Sequence, residues 1–245
     1  MQSVNKAISE RVLIVGGNSG MGLALAECLL AEGAQVTIVG RSRERLNHVS
    51  GRLANDRLRT IAADITQEDQ VADLFQQTGP LDHIVTTAAN IEGAYELLPS
   101  LELAAAQKVV DSKFMGPLLL SKYGVPVLAK TGSIVFTSGI AAYRPAPRGS
   151  VVAAINGALE SLAYALAVEL GPIRVNVVSP GWVDSPLWKF VAGDAKNAVL
   201  QAKAEQLPVG RIGRPEDIAH AIVFLLRNSF VTGIVLHVDG GHRLV

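Results

Sequence analysis

Aromatic residues are scarce in this sequence. Two Trp, four Tyr and six Phe make up 5% of a chain that is 49% hydrophobic. The apolar mass is therefore Ala, Val, Leu and Ile, the side chains of strands buried on both faces of a parallel sheet. Cysteine is nearly absent. Cys28 stands alone, which excludes an internal disulfide framework, and inside a predicted helix it reads as a small buried hydrophobe. Net charge is missing too: Lys plus Arg and Asp plus Glu number 22 each, so no basic field points to nucleic acid as a partner. The histidines at 48, 83, 220, 237 and 242 have no metal-ligand spacing with one another or with Cys28, and no metal is expected. No stretch approaches the ~18 uncharged apolar residues of a membrane span. The opening MQSVNKAISE lacks the apolar run of a signal peptide. The expectation is a soluble, cytoplasmic protein that does not bind membranes.

What is present is alternation. Short apolar runs at 11–15, 35–39, 59–63, 82–87, 133–138, 173–179 and 233–239 read as strands. Helix-length stretches at 20–31, 43–54, 67–77, 100–129, 150–170 and 215–227 lie between them. A length of 245 residues allows one large α/β domain or two small ones. The rhythm continues without a composition break, a repeat or a linker. This predicts a single domain over 1–245: a doubly wound, parallel, seven-stranded sheet of the Rossmann type in three α/β/α layers. Residues at about 185–210, with Trp188 and Phe190, interrupt the rhythm and are a candidate helical lid, or an ordinary packing helix.

The first strand runs into GGNSGMG, residues 16–22. Gly16, Gly20 and Gly22 permit a tight turn and a close backbone approach to a phosphate. Asn18, Ser19 and Met21 complete the turn, and the helix that follows aims its amides at the anion. A glycine-rich turn placed between a first strand and a helix is a dinucleotide signature. The spacing G-x-x-x-G-x-G, with Val15 in the place of a Thr, resembles that of the short-chain dehydrogenase/reductase family. The second strand ends IVGRSRER. Gly40 stands where an NAD-selective acid would be, followed by Arg41, Ser42 and Arg43, donors suited to a 2′-phosphate, so NADP(H) is predicted over NAD(H).

The resemblance extends along the chain from Arg11 to Gly241. It implies that Asp64 and Ile65 contact the adenine, that Ala88 and Ala89 pass close to the cofactor, and that Pro180, Gly181 and Val183 flank the nicotinamide with Ser185 bonding to it. It also implies a catalytic Tyr, Lys, Ser and Asn. In IVFTSGIAA, Ser138 matches the serine. In VVDSKFMG, Lys113 occupies the Asn place. In VAAINGALESL, Val152 occupies the Tyr place and Asn156 the Lys place. The Lys–Asn pair is thus exchanged between two helices and the phenol is missing; Tyr143 is the only tyrosine on a loop near Ser138. The catalytic candidates are Ser138, Lys113 and Asn156. Two readings stay open. One is an NADP(H)-dependent oxidoreductase with an altered catalytic set, favouring activated carbonyls such as quinones or dicarbonyls as its small-molecule substrate. The other is a non-catalytic NADP(H)-binding pseudoenzyme or redox sensor. Relatives of this kind pack two helices across two-fold axes, which implies a homo-oligomer, a dimer or a tetramer.

Overall fold

The computed structural model describes residues 10–186, 188 and 193–245. Seven strands form one parallel sheet: β1 Arg11–Val15, β2 Gln35–Gly40, β3 Leu58–Ala62, β4 Leu81–Thr86, β5 Leu128–Thr137, β6 Arg174–Pro180 and β7 Val235–Val238. Their order is β3-β2-β1-β4-β5-β6-β7. The direction of winding reverses between β1 and β4, so a crevice opens at the carboxyl ends of those two strands, the place where this architecture holds ligands. The central strands carry no polar face. All of β6 is buried, and β1 exposes only part of Arg11. Helices on both sides of the sheet explain this.

On one side, α1 (Gly20–Ala31) and α8 (Pro215–Arg227) pack Leu25, Leu29, Ile218 and Ile222 onto Ile14, Val85 and Val178. On the other, α5 (Gly116–Gly124) and α6 (Ser150–Glu169) pack Leu119, Leu120, Leu159 and Ala163 onto Val15, Phe136 and Val177. Each Val, Leu, Ile or Phe among these contributes about 1.5–3 kcal/mol when fully buried. The other helices are α2 (Arg43–Leu53), α3 (Glu68–Thr78), α4 (Leu103–Val110) and α7 (Lys196–Ala204).

Two expected elements differ. The long helix expected over 100–129 begins at Leu103, widens into a single π turn at Asp111–Met115, resumes as α5 and ends at Gly124. Pro117 supplies the cause, since it has no amide to offer the carbonyl of Lys113 four residues earlier, and its ring crowds that carbonyl. The Ser112 hydroxyl adds to this by donating back to the Lys108 carbonyl (2.7 Å). β5 is longer than expected because Leu128 already pairs with Leu81, ahead of a shift in register.

Of the candidate lid, α7 and the turn Gly193–Ala195 before it are helical, while Leu187 and residues 189–192, with Phe190, lie outside the described residues. Trp188 stacks on Trp182 (centroids 4.3 Å apart) and donates its indole N–H to the Val183 carbonyl (2.8 Å). Among the described residues, α6 alone is long and apolar enough for a membrane span. It is not free of charge, because it buries Glu160, and it packs its apolar face on the sheet.

Candidate active site

The dinucleotide end is built from the turn after β1. Gly16 and Gly20 adopt positive φ (87° and 52°), where a side chain would strain the backbone. Gly22 is needed for space: a Cβ there would lie 2.4 Å from the Gly16 carbonyl oxygen. The α1 start has no side-chain cap from Ser19, so its amides are left to an anion. The hydroxyl missing at Val15 has a counterpart on the neighbouring strand end. Thr87 donates its hydroxyl to the Val15 carbonyl (3.2 Å) and ties the turn to the end of β4. Nothing in the Val15 environment of the sequence signalled this.

Asn18 packs beside Gly40, where a Cβ would approach its side-chain amide to 3.0 Å. Arg41 and Arg43 are exposed and, among the described residues, have no ion-pair partner. The Ser42 hydroxyl accepts from the Arg45 amide (3.3 Å) and caps α2, which leaves its own O–H free to donate. Downstream residues converge on the same crevice. Ser185 and Pro186 arch over the Gly20 turn. Ala88 backs the Gly16 turn, and Ala89 is exposed beside it. Gly181 lies against the Asp239 backbone, where a Cβ would be 2.6 Å from its Cα. Two residues implied as contacts turn their side chains into the core instead. Ile65 packs against Gly116, and Val183 packs in the α1–α8 cluster. Only their backbones can face a ligand. Asp64 directs one carboxylate oxygen to the Thr66 amide and hydroxyl (3.0 and 2.9 Å).

The reactive end lies between the π turn, the end of β5 and the first turns of α6. The π turn carries Lys113 into the protein. Its Nζ donates to Asn156 Oδ1 (2.7 Å) and to the Ser138 carbonyl (3.1 Å). The two exchanged residues are thus direct partners. An ammonium has three N–H donors, so one remains for another acceptor. Lys113 is 7% exposed, and burial lowers its pKa from 10.5 to about 8, with the Glu160 charge acting the other way. Val152 joins Ile91, Ala94 and Val109 in a small apolar cluster, so the place of the missing phenol is filled by packing between α6, α4 and the loop after β4.

Ser138 and Tyr143 depart from expectation. The Ser138 hydroxyl does not face Lys113 or Asn156; it donates to Glu160 Oε1 (2.7 Å). It is the next residue, Gly139, that approaches the Asn156 amide, where a Cβ would lie 3.1 Å from Nδ2. The alternation of side chains at the end of β5 decides this. Tyr143 donates to the other oxygen, Glu160 Oε2 (2.6 Å). Burial and the adjoining carboxylate push its phenol well above the ordinary value, which makes it a poor acid. Glu160 was not singled out by its sequence context. Its place four residues after Asn156 and eight after Val152, on one helical face, was the available signal. No group of three or more potential metal ligands occurs among the described residues.

A family model described as Enoyl-(Acyl carrier protein) reductase matches residues 15–243. The chain is 32% identical to the short-chain dehydrogenase/reductase ATR9 of Stachybotrys chlorohalonatus, over 95% of this chain and 96% of that one. Among solved structures, a small-chain dehydrogenase in complex with NADPH superposes with a TM-score of 0.85 at 34% identity, covering 97% of this chain and 100% of the other. The MalC reductase/Diels-Alderase of Malbranchea aurantiaca superposes with a TM-score of 0.90 at 31% identity, covering 98% of both chains.

Proposed function

This chain belongs to the short-chain dehydrogenase/reductase family, and on that premise we propose that it is an NADP(H)-dependent oxidoreductase that acts on activated carbonyls through an altered catalytic set. The observation that carries this reading is the buried ammonium of Lys113, held by Asn156 and the Ser138 carbonyl with one N–H to spare. The residues present suit the cofactor. The Gly16–Gly22 turn and the uncapped α1 start would hold its diphosphate, and Arg41, Ser42 and Arg43 the 2′-phosphate. When bound, NADPH supplies a hydride.

The protein's own contribution is then electrostatic and protic. As charge grows on a substrate oxygen, the free N–H of Lys113 donates to it. With its pKa near 8 the ammonium is present at neutral pH and can give up that proton. Asn156 fixes the direction of the amine. The Ser138 hydroxyl, turned to Glu160, takes no part in this donation, and its backbone carbonyl holds the Lys113 amine. General acid catalysis is worth about 10²–10⁴-fold. A pocket without the family's phenol therefore favours quinones and dicarbonyls, whose reduction needs less help at oxygen, over simple ketones. The test is an NADPH-oxidation screen across quinones, dicarbonyls and simple ketones. Turnover of the activated class, reduced about 100-fold by Lys113→Met, is the expected result.

A second reading, a non-catalytic NADP(H)-binding protein, is favoured by the contrast between the open glycine turn and the Ser138 hydroxyl tied to Glu160. Tight NADPH binding with no turnover on any carbonyl of the screen would establish it. The assembly we propose is a homo-oligomer, dimer or tetramer, because Tyr164 and Val168 on α6 and Leu103 on α4 leave apolar surface exposed. Sedimentation showing only monomer would refute that.

A further inference from the structure

Glu160 is 5% exposed, and no expectation drawn from the sequence uses it. A buried carboxylate is costly unless it is hydrogen-bonded and balanced by charge. Its two oxygens are each occupied. Oε1 accepts from the Ser138 hydroxyl and Oε2 from the Tyr143 phenol. A charge of opposite sign lies on the other side of Ser138: Lys113 feels the Glu160 charge and donates to the carbonyl of the same Ser138 whose hydroxyl meets Glu160. One residue at the end of β5 therefore bridges a buried cation and a buried anion from the two sides of its own backbone. Other charged or titratable groups nearby are few. His237 on β7 meets the Tyr143 ring edge-on (centroids 4.4 Å apart); Arg243 and Glu160 act on both, Tyr164 on Tyr143 and Asp239 on His237. The charge acting on Lys113 is that of Glu160.

We propose that Glu160 is a positioning residue of this pocket: through Ser138 and Tyr143 its carboxylate holds the loop after β5 in place and supplies the counter-charge that keeps Lys113 an ammonium. This deepens the proposed function, since it assigns the source of the charge on which that reading depends. The functional consequence is direct. Without the carboxylate, burial acts on Lys113 unopposed, and the amine becomes neutral at a lower pH. The Ser138 hydroxyl and the Tyr143 phenol would both lose the acceptor that orients them.

The test reads Lys113 itself, without substrate or dinucleotide, so failure here is distinguishable from failure to reduce any carbonyl. The Lys113 side chain is followed by NMR in lysine-labelled protein across the pH range. In Glu160→Gln, its midpoint falls by about one pH unit, a tenfold change in proton affinity. Glu160→Asp keeps the charge and leaves the midpoint near that of the parent. An unmoved midpoint in folded Glu160→Gln overturns the proposal. If Glu160→Gln does not fold, the double variant Lys113→Met/Glu160→Gln decides. Removing two opposite buried charges together is tolerated far better than removing one, so recovery of most of the lost melting temperature supports the coupling, and a double variant as unfolded as the single one overturns it. The loop-holding part is read by trypsin. In Tyr143→Phe, cleavage after the exposed Arg148 quickens several-fold, and unchanged cleavage removes that part of the proposal.

Discussion

The two ends of the crevice differ in what holds them. The dinucleotide end is shaped by backbone: glycines at 16, 20 and 22, a bare helix start, and Gly181 against the end of β7. The reactive end is shaped by side chains, with buried Lys113, Asn156, Ser138 and Glu160 joined in one network that reaches the exposed Tyr143. Backbone geometry tolerates few substitutions because a single Cβ collides with fixed atoms. A side-chain network can be rewired as long as each donor finds an acceptor and each charge a partner. That is the physical reason an exchange of Lys and Asn between two helices is compatible with a retained glycine turn at the other end of the crevice.

This contrast can be broken from either end. The largest effect is expected at the turn. Gly22→Val drives a Cβ into the Gly16 carbonyl, which a Cβ would approach to 2.4 Å, and it should weaken NADPH binding by about 100-fold, near 3 kcal/mol, with a lower melting temperature; both are read by titration and calorimetry. Next comes rewiring of the network. Lys113→Asn, Val152→Tyr and Asn156→Lys together restore the family arrangement. Gly139→Ser can be added because Gly139 has an extended φ of 169°, open to any residue, and faces Asn156. Simple-ketone reduction should then rise by about 10²-fold. A folded, NADPH-binding variant with no gain would show that the exchanged pair is not what limits the parent.

A smaller effect sharpens the cofactor side. Arg41→Glu places a carboxylate where Arg41 now stands exposed. NADPH affinity should fall by about tenfold, while NADH affinity holds or improves. Equal losses for both would remove Arg41 from 2′-phosphate recognition. The smallest effect is one of linkage. The folded pKa of Lys113 is depressed from 10.5 to about 8, so between these pH values the unfolded chain binds more protons than the native one, and stability rises with pH across that window through this group. The cost of burying the ammonium is fully present below about pH 8. The melting temperature of the parent minus that of Lys113→Met should therefore rise from pH 8 toward pH 10, and a constant difference would contradict the burial account.

Much of this was legible in the order of residues. Strand positions followed from apolar runs fenced by Gly and polar residues, and α1, α6 and α8 begin where helix signals placed them. The meeting of Lys113 with Asn156 could be anticipated from the two segments VVDSKFMG and VAAINGALESL. The Ser138 hydroxyl could not, because one residue of alternation at a strand end turns it from Asn156 to Glu160. Nor could the π turn: Pro117 follows Gly116 and was open to reading as an ordinary second helix start, and only the surrounding packing keeps the helix continuous through it.

The sequence by itself determined the alternating α/β plan, the glycine turn and the absence of the family's phenol at position 152. These are local properties: periodicity, a missing Cβ, a missing hydroxyl. Only the tertiary structure decided that Glu160 ends up beside Ser138 and Tyr143 and acts on Lys113, across elements separated by up to 47 positions in the chain. The physical reason is that a buried charge is stable only with partners, and those partners are chosen by which faces the packed sheet and helices bring together.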